Sequence, residues 1–144
     1  MRFTDTKISV LSVEDNPADT LMISCLFEDS KVVSDISFVA DGEAAIHYLK
    51  KQGKYKNASR PDLILLDLNL PKKDGRQVLN EIKTDPDLKT IPVLVLSTSN
   101  APKDVKLAFT LHANAYFEKP DDLNKFRETV TAIEEYWSTS LLPS

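Results

Sequence analysis

The chain has 144 residues, 42% of them hydrophobic, and 22 acidic against 18 basic side chains give a net charge of -4. That length and apolar content favour one domain with an adequate core, and the acidic balance argues against a general nucleic-acid binder, which needs clustered Lys and Arg. No apolar run approaches the roughly 20 residues that span a bilayer, Met1-Arg2-Phe3-Thr4-Asp5-Thr6-Lys7 contains no apolar signal core, and a cytoplasmic protein is expected.

Strand-like and helix-like patterns then alternate along the chain. Ile8, Val10, Leu11 and Val13 predict a first strand ending at Glu14-Asp15. Asn16-Pro17 opens a first helix, because Asn caps well and proline is tolerated in the first turn. Cys25 lies in that helix among Leu21, Met22 and Leu26 and is expected to be a buried free thiol. As the single cysteine it forms no internal disulfide, and no Cys/His cluster suggests zinc. Ile36 to Val39 predicts the second strand, and Asp41-Gly42-Glu43 precedes a helix with Ala45, Ile46 and Leu49 as its apolar positions. The basic stretch Lys50, Lys51, Lys54, Lys56 and Arg60 reads as a solvated helix end and loop.

Leu63 to Leu66 predicts a buried third strand that delivers Asp67, followed by Leu68-Asn69-Leu70-Pro71. Asp74-Gly75 starts a third helix carrying Val78, Leu79 and Ile82, and Asp85-Pro86 ends it. Val93 to Leu96 predicts a fourth strand before Ser97-Thr98-Ser99, and Asp104 to Leu111 a fourth helix. A short strand, Ala115 to Phe117, precedes Lys119-Pro120. The last helix has Leu123, Phe126, Val130, Ile133 and Trp137 at intervals of three and four, a face expected to pack on the sheet and too short for a coiled-coil seam. Near-continuous apolar strands alternating with helices predict an α/β fold, its parallel sheet covered on both faces. With no repeat, low-complexity tract or linker, residues 1–144 are expected to form a single domain with a core of about 7–137, a short tail and no output domain.

Each polar strand end has an ordinary explanation when taken alone. Glu14-Asp15 could be helix-capping or solvated loop residues, Lys119 a surface lysine, and Ser97-Thr98-Ser99 a polar loop with local hydrogen bonds. Asp67 stands several residues too early to cap the helix at Asp74. What carries weight is coincidence, since the carboxyl ends of strands in an open parallel sheet share one edge, where ligands bind. Three acids and a lysine there could hold a divalent cation and neutralise a phosphoryl group.

In this ordered set, Glu14-Asp15, Asp67, Ser97 and Lys119-Pro120, the chain resembles a response-regulator receiver domain of two-component signalling over almost its full length. The stretches VEDNPAD and RPDLILLDLNLPKKDGR, with Tyr136-Trp137, are similar to the small single-domain regulators of cyanobacterial and bacterial phytochromes. The resemblance implies a flavodoxin-like (CheY-like), doubly wound sheet of five parallel strands in the order 2-1-3-4-5 with five flanking helices. It implies that Asp67 accepts a phosphoryl group from a sensor histidine kinase, of the phytochrome type in the narrower likeness. The chain would be a signalling protein that catalyses its own Mg2+-dependent phosphorylation and dephosphorylation, not an enzyme with a separate substrate.

In that family picture Asp15, Asp67 and the backbone carbonyl of Asn69 bind Mg2+ directly, and Glu14 acts through a water. Lys119 pairs with one phosphoryl oxygen and Ser97 donates to another. Thr98 stands where the family usually has a small residue, and is expected to hinder an attacking water and slow hydrolysis. Asn69 and Ser99 are positions that influence the same rate. Ser97 and Tyr116 form the switch: Ser97 follows the new acceptor, Tyr116 turns inward, and the surface of helix four, strand five and helix five changes. Output is expected to pass by protein contact, to a downstream partner, through a returned phosphoryl relay or in a homodimer, with Phe109, Tyr136, Trp137 and Leu141-Leu142 as candidate anchors.

Three other readings compete. A receiver-like module that is never phosphorylated would lack the acids, the hydroxyl or the lysine, and all are present. A magnesium-dependent phosphohydrolase using Asp67 as nucleophile commonly has a general acid two residues on, and Asn69 cannot serve. A flavin or dinucleotide binder is suggested by fold class alone, and Gly42, Gly53 and Gly75 make no glycine-rich phosphate loop.

Overall fold

The computed structural model describes residues 8–28, 30, 32–120 and 122–139, with side chains up to residue 135. Its strands are β1 (Ile8–Val13), β2 (Val33–Val39), β3 (Leu63–Leu66), β4 (Val93–Ser97) and β5 (Ala115–Glu118). Its helices are α1 (Pro17–Glu28), α2 (Gly42–Leu49), α3 (Gly75–Thr84), α4 (Pro102–Thr110) and α5 (Leu123–Thr139). All strand pairs are parallel, in the order β2-β1-β3-β4-β5. This is the expected 2-1-3-4-5 sheet with five helices.

Alternation along the strands divides the core between the two faces. Leu11, Val13, Ile64, Leu66, Val93 and Val95 face α2, α3 and α4, where Ile46, Val78, Leu79, Ile82 and Ala108 meet them. Ile8, Val10, Leu63, Leu65, Leu94 and Leu96 face α1 and α5, against Ile23, Phe27, Phe126, Val130 and Ile133. The helix starts are built from short polar side chains. Asn16 Oδ1 accepts the Ala18 N–H at 2.9 Å, Asp41 accepts that of Ala44 at 2.7 Å, and Asp74 forms a capping box with Gln77. Each satisfies donors that a helix leaves open.

Several expectations need adjustment. Cys25 is exposed, not buried, because the buried face of α1 is set by Ile23 and Phe27, and residue 25 lies between them on the opposite side. Leu123 is exposed, so the buried stripe of α5 begins at Phe126. β2 starts at Val33, three residues earlier than expected. A short 3-10 turn, Gly53–Tyr55, follows α2 within the basic stretch, whose five cationic residues are all exposed. Phe109 is exposed on α4; the side chains of Tyr136 and Trp137, and residues Leu141 and Leu142, lie outside the described residues.

Candidate functional site

The sheet's hydrogen bonding carries just past the strand ends and aligns the polar residues there. Glu14 donates its N–H to the Val39 carbonyl at 3.0 Å, Asp67 to that of Val13 at 3.1 Å, and Lys119 to that of Ser97 at 2.6 Å. Between β1 and β3 the direction of chain winding reverses, the place where open α/β sheets form a crevice. Glu14, Asp15, Asp67, Ser97 and Lys119 all sit on that edge.

Lys119 is the hub. Its Nζ donates to Glu14 Oε1 at 2.7 Å, to Asp67 Oδ2 at 3.0 Å and to Asp19 Oδ2 at 3.0 Å. An ammonium has three N–H groups, and each finds a carboxylate. Burial alone would favour the neutral amine. The hydrogen bond to Glu14 and the field of Asp67, joined by Asp19, outweigh it and hold the Lys119 pKa above the ordinary lysine value.

Glu14 experiences the reverse balance. Burial raises its pKa, and the single shared ammonium, with the Asn16 N–H donating to Oε2 at 3.1 Å, only partly offsets that rise. One cation shared among three carboxylates is ample for the lysine and insufficient for the acid. The Asp15 carboxylate adds further negative charge, and carboxylate oxygens of Glu14, Asp15 and Asp67 lie within 4.8 Å of one another. Hard oxygen donors with uncompensated charge at that spacing suit a divalent cation.

The loop after β3 closes on this group. Asn69 enters through its N–H, which donates to Asp67 Oδ1 at 3.0 Å, while Gly75 donates to the Leu68 carbonyl at 3.0 Å. Ser97 is fully buried at the end of β4 and its Oγ accepts the Ser99 N–H at 3.2 Å. Thr98 is exposed beside Lys119 on the rim of an open cleft of about 740 Å3 that also reaches Phe117, Glu128 and Ala132.

Two features were not singled out in the sequence. Asp19 stands in the first turn of α1, where an acidic residue is ordinary; its spacing, four residues beyond Asp15, is the signal the sequence offers. The second is a chain of contacts from α3 to β5. Arg76 bridges Asp74 at 3.3 Å and Asp104 at 3.3 Å, Asp104 accepts the Ser99 hydroxyl at 2.5 Å, and the Ser99 carbonyl accepts the Tyr116 hydroxyl at 2.7 Å. Tyr116 is half-buried and packs against the core on the α2, α3 and α4 face.

Comparison with known proteins agrees with this picture. The profile of the response regulator receiver domain matches residues 10–131. Response regulator Rcp1 of Synechocystis sp. is 46% identical over 136 residues, 94% of this chain and 92% of that protein. The phosphorylated cyanobacterial phytochrome response regulator RcpA has a TM-score of 0.90 at 51% identity, covering 96% of this chain and 100% of its own. The Mn2+-bound form of Rcp1 has a TM-score of 0.88 at 46% identity, over 95% and 99%. Among the described residues, no helix is long and apolar enough to cross a membrane.

Proposed function

Since the chain belongs to the response regulator receiver family, we propose that it accepts a phosphoryl group on Asp67 from a phytochrome-type sensor histidine kinase, in a Mg2+-dependent reaction. The observation that carries this reading is Asp67 itself, a nearly buried carboxylate at the sheet's switch point, hydrogen-bonded to Lys119 and within 4.8 Å of two further acids. The kinase type is inferred from the likeness to RcpA, a cyanobacterial phytochrome response regulator.

The transfer needs no base, because a carboxylate is already ionised at neutral pH. An Asp67 oxygen forms a bond to phosphorus as the bond from phosphorus to the kinase's histidine nitrogen breaks, and that nitrogen keeps the electron pair. Lys119 and the Ser97 hydroxyl would donate to phosphoryl oxygens. Asp15 and Asp67, with the Asn69 carbonyl, would hold Mg2+. Glu14 would act through a bound water, a role supported by the engagement of both its oxygens by Lys119 and Asn16. When bound, the ion supplies charge neutralisation and a template for the anionic group. Catalysis by positioning and neutralisation is what phosphoryl transfer chiefly requires.

Phosphorylation adds about -1.5 to -2 charge. Ser97 turning to the new acceptor would move the loop that Tyr116 grips through Ser99, and so reshape α4, β5 and α5. The signal would leave by protein contact there, and Leu107 and Phe109 are exposed on α4 to make it. Radiolabel transferred from an autophosphorylated phytochrome kinase tests the whole reading. Label should appear on the wild-type chain with Mg2+ and be absent from Asp67→Asn; label on both proteins would exclude Asp67 as the acceptor.

A further inference from the structure

We propose that Asp19 is a positioning residue that restrains phosphorylation: it holds Lys119 while Asp67 is a free carboxylate and yields that bond when Asp67 carries a phosphoryl group. The inference rests on Asp67 being the acceptor. Lys119 has three N–H groups, all engaged, at 2.7 Å to Glu14 and 3.0 Å to both Asp19 and Asp67. A phosphoryl oxygen can be served only if one of these bonds is given up.

Burial decides which one. The Glu14 side chain is 2% exposed, that of Asp67 8% and that of Asp19 19%. Stripping the lysine from Glu14 would leave a carboxylate unpaired inside the protein, the costliest outcome for a charged group. Asp67 is the reacting group, and the oxygen it does not give to phosphorus remains an acceptor for the lysine beside it. Asp19, nearer to water, loses least by being rehydrated. It also lies outside the Glu14, Asp15 and Asp67 cluster that would bind metal. Its partner is the lysine.

Asp19 therefore competes with the incoming phosphoryl group for Lys119 and adds one negative charge to the path of an anionic donor. Both effects slow acceptance. A mere prop for Lys119 would act in the opposite direction, since removing it would misplace the lysine and reduce the rate.

The test uses acetyl phosphate and Mg2+ with the full chain, followed by intact mass. An Asp67 oxygen bonds to phosphorus as the bond to acetate breaks, and acetate leaves with the electron pair. Asp19→Asn should phosphorylate roughly threefold faster or more, the scale of one partly screened charge contact, while Asp19→Glu, which keeps the carboxylate, stays near the wild-type rate. Calorimetry should show Mg2+ affinity in Asp19→Asn within about twofold of wild type, since a partly exposed carboxylate outside the cluster acts through a screened field. An unchanged or slower Asp19→Asn, an equal gain in both variants, or loss of Mg2+ binding would overturn the inference. If wild type takes up no phosphoryl group, the Asp67 reading fails and this one with it; if wild type is labelled and Asp19→Asn is not faster, only this one fails.

Discussion

The Tyr116 hydroxyl donates to the Ser99 carbonyl at 2.7 Å, which ties β5 to the loop two residues beyond Ser97. The ring is half-buried, so the bond fixes a side chain that the switch reading requires to move. Tyr116→Phe keeps the packing and removes one hydrogen bond. It should cost about 0.5–1.5 kcal/mol in urea unfolding and speed amide hydrogen exchange in residues 99–101. Unchanged exchange there would show that the bonds of Ser99 to Ser97 and Asp104 hold the loop without Tyr116.

Asp104 gives a pH dependence of defined sign. The Ser99 hydroxyl, then Arg76, holds its pKa below the ordinary value of 3.8. Arg76 is shifted upward in turn: burial opposes its charge, and Asp104 and Asp74 outweigh the burial. A depressed acid contributes stability that is present above its ordinary pKa and is lost as pH falls through the lower folded value. Asp104→Asn should therefore melt below wild type at pH 7, with the gap closing as pH drops below 3.8. A gap independent of pH would mean that the carboxylate's charge contributes nothing.

Gly75 backs directly onto the acceptor loop. A Cβ there would collide with the Asp67 carbonyl and the Leu68 backbone, neither of which can swing aside as a side chain would. Gly75→Ala should lose roughly 1–3 kcal/mol, as overpacked sites do, and phosphorylate more slowly because the loop that aims Asp67 has moved. Wild-type stability and rate together would show that the loop relaxes freely.

Thr98 is exposed and lines an open cleft together with Lys119. If its β-branched side chain shields the acyl phosphate, Thr98→Ala should dephosphorylate severalfold faster after donor removal. An unchanged or slower decay would assign the phosphoryl lifetime to Asn69 or Ser99.

Much of this architecture was legible in the sequence because the strands are nearly pure apolar runs. Leu63–Leu66 matched to the residue, and Val78, Leu79 and Ile82 gave the buried face of α3. Edges were harder to read. The first residues of β2, Val33, Ser34 and Asp35, run from buried to exposed on an edge strand, where polar residues are tolerated. Cys25 was misplaced because α1 is apolar on more than one side, so its buried stripe could not be phased from sequence. In the site, residues at strand ends could be aligned by topology. Asp19 could not, since its meeting with Lys119 spans 100 residues and depends on how α1 leaves β1.

The most direct test of the central claim is the intact mass of the chain after incubation with acetyl phosphate and Mg2+, beside Asp67→Asn. One added phosphoryl group in the wild type, absent from the variant and prevented by EDTA, is the predicted result. An adduct of the same size on Asp67→Asn, or one that forms equally well without a divalent cation, would contradict it.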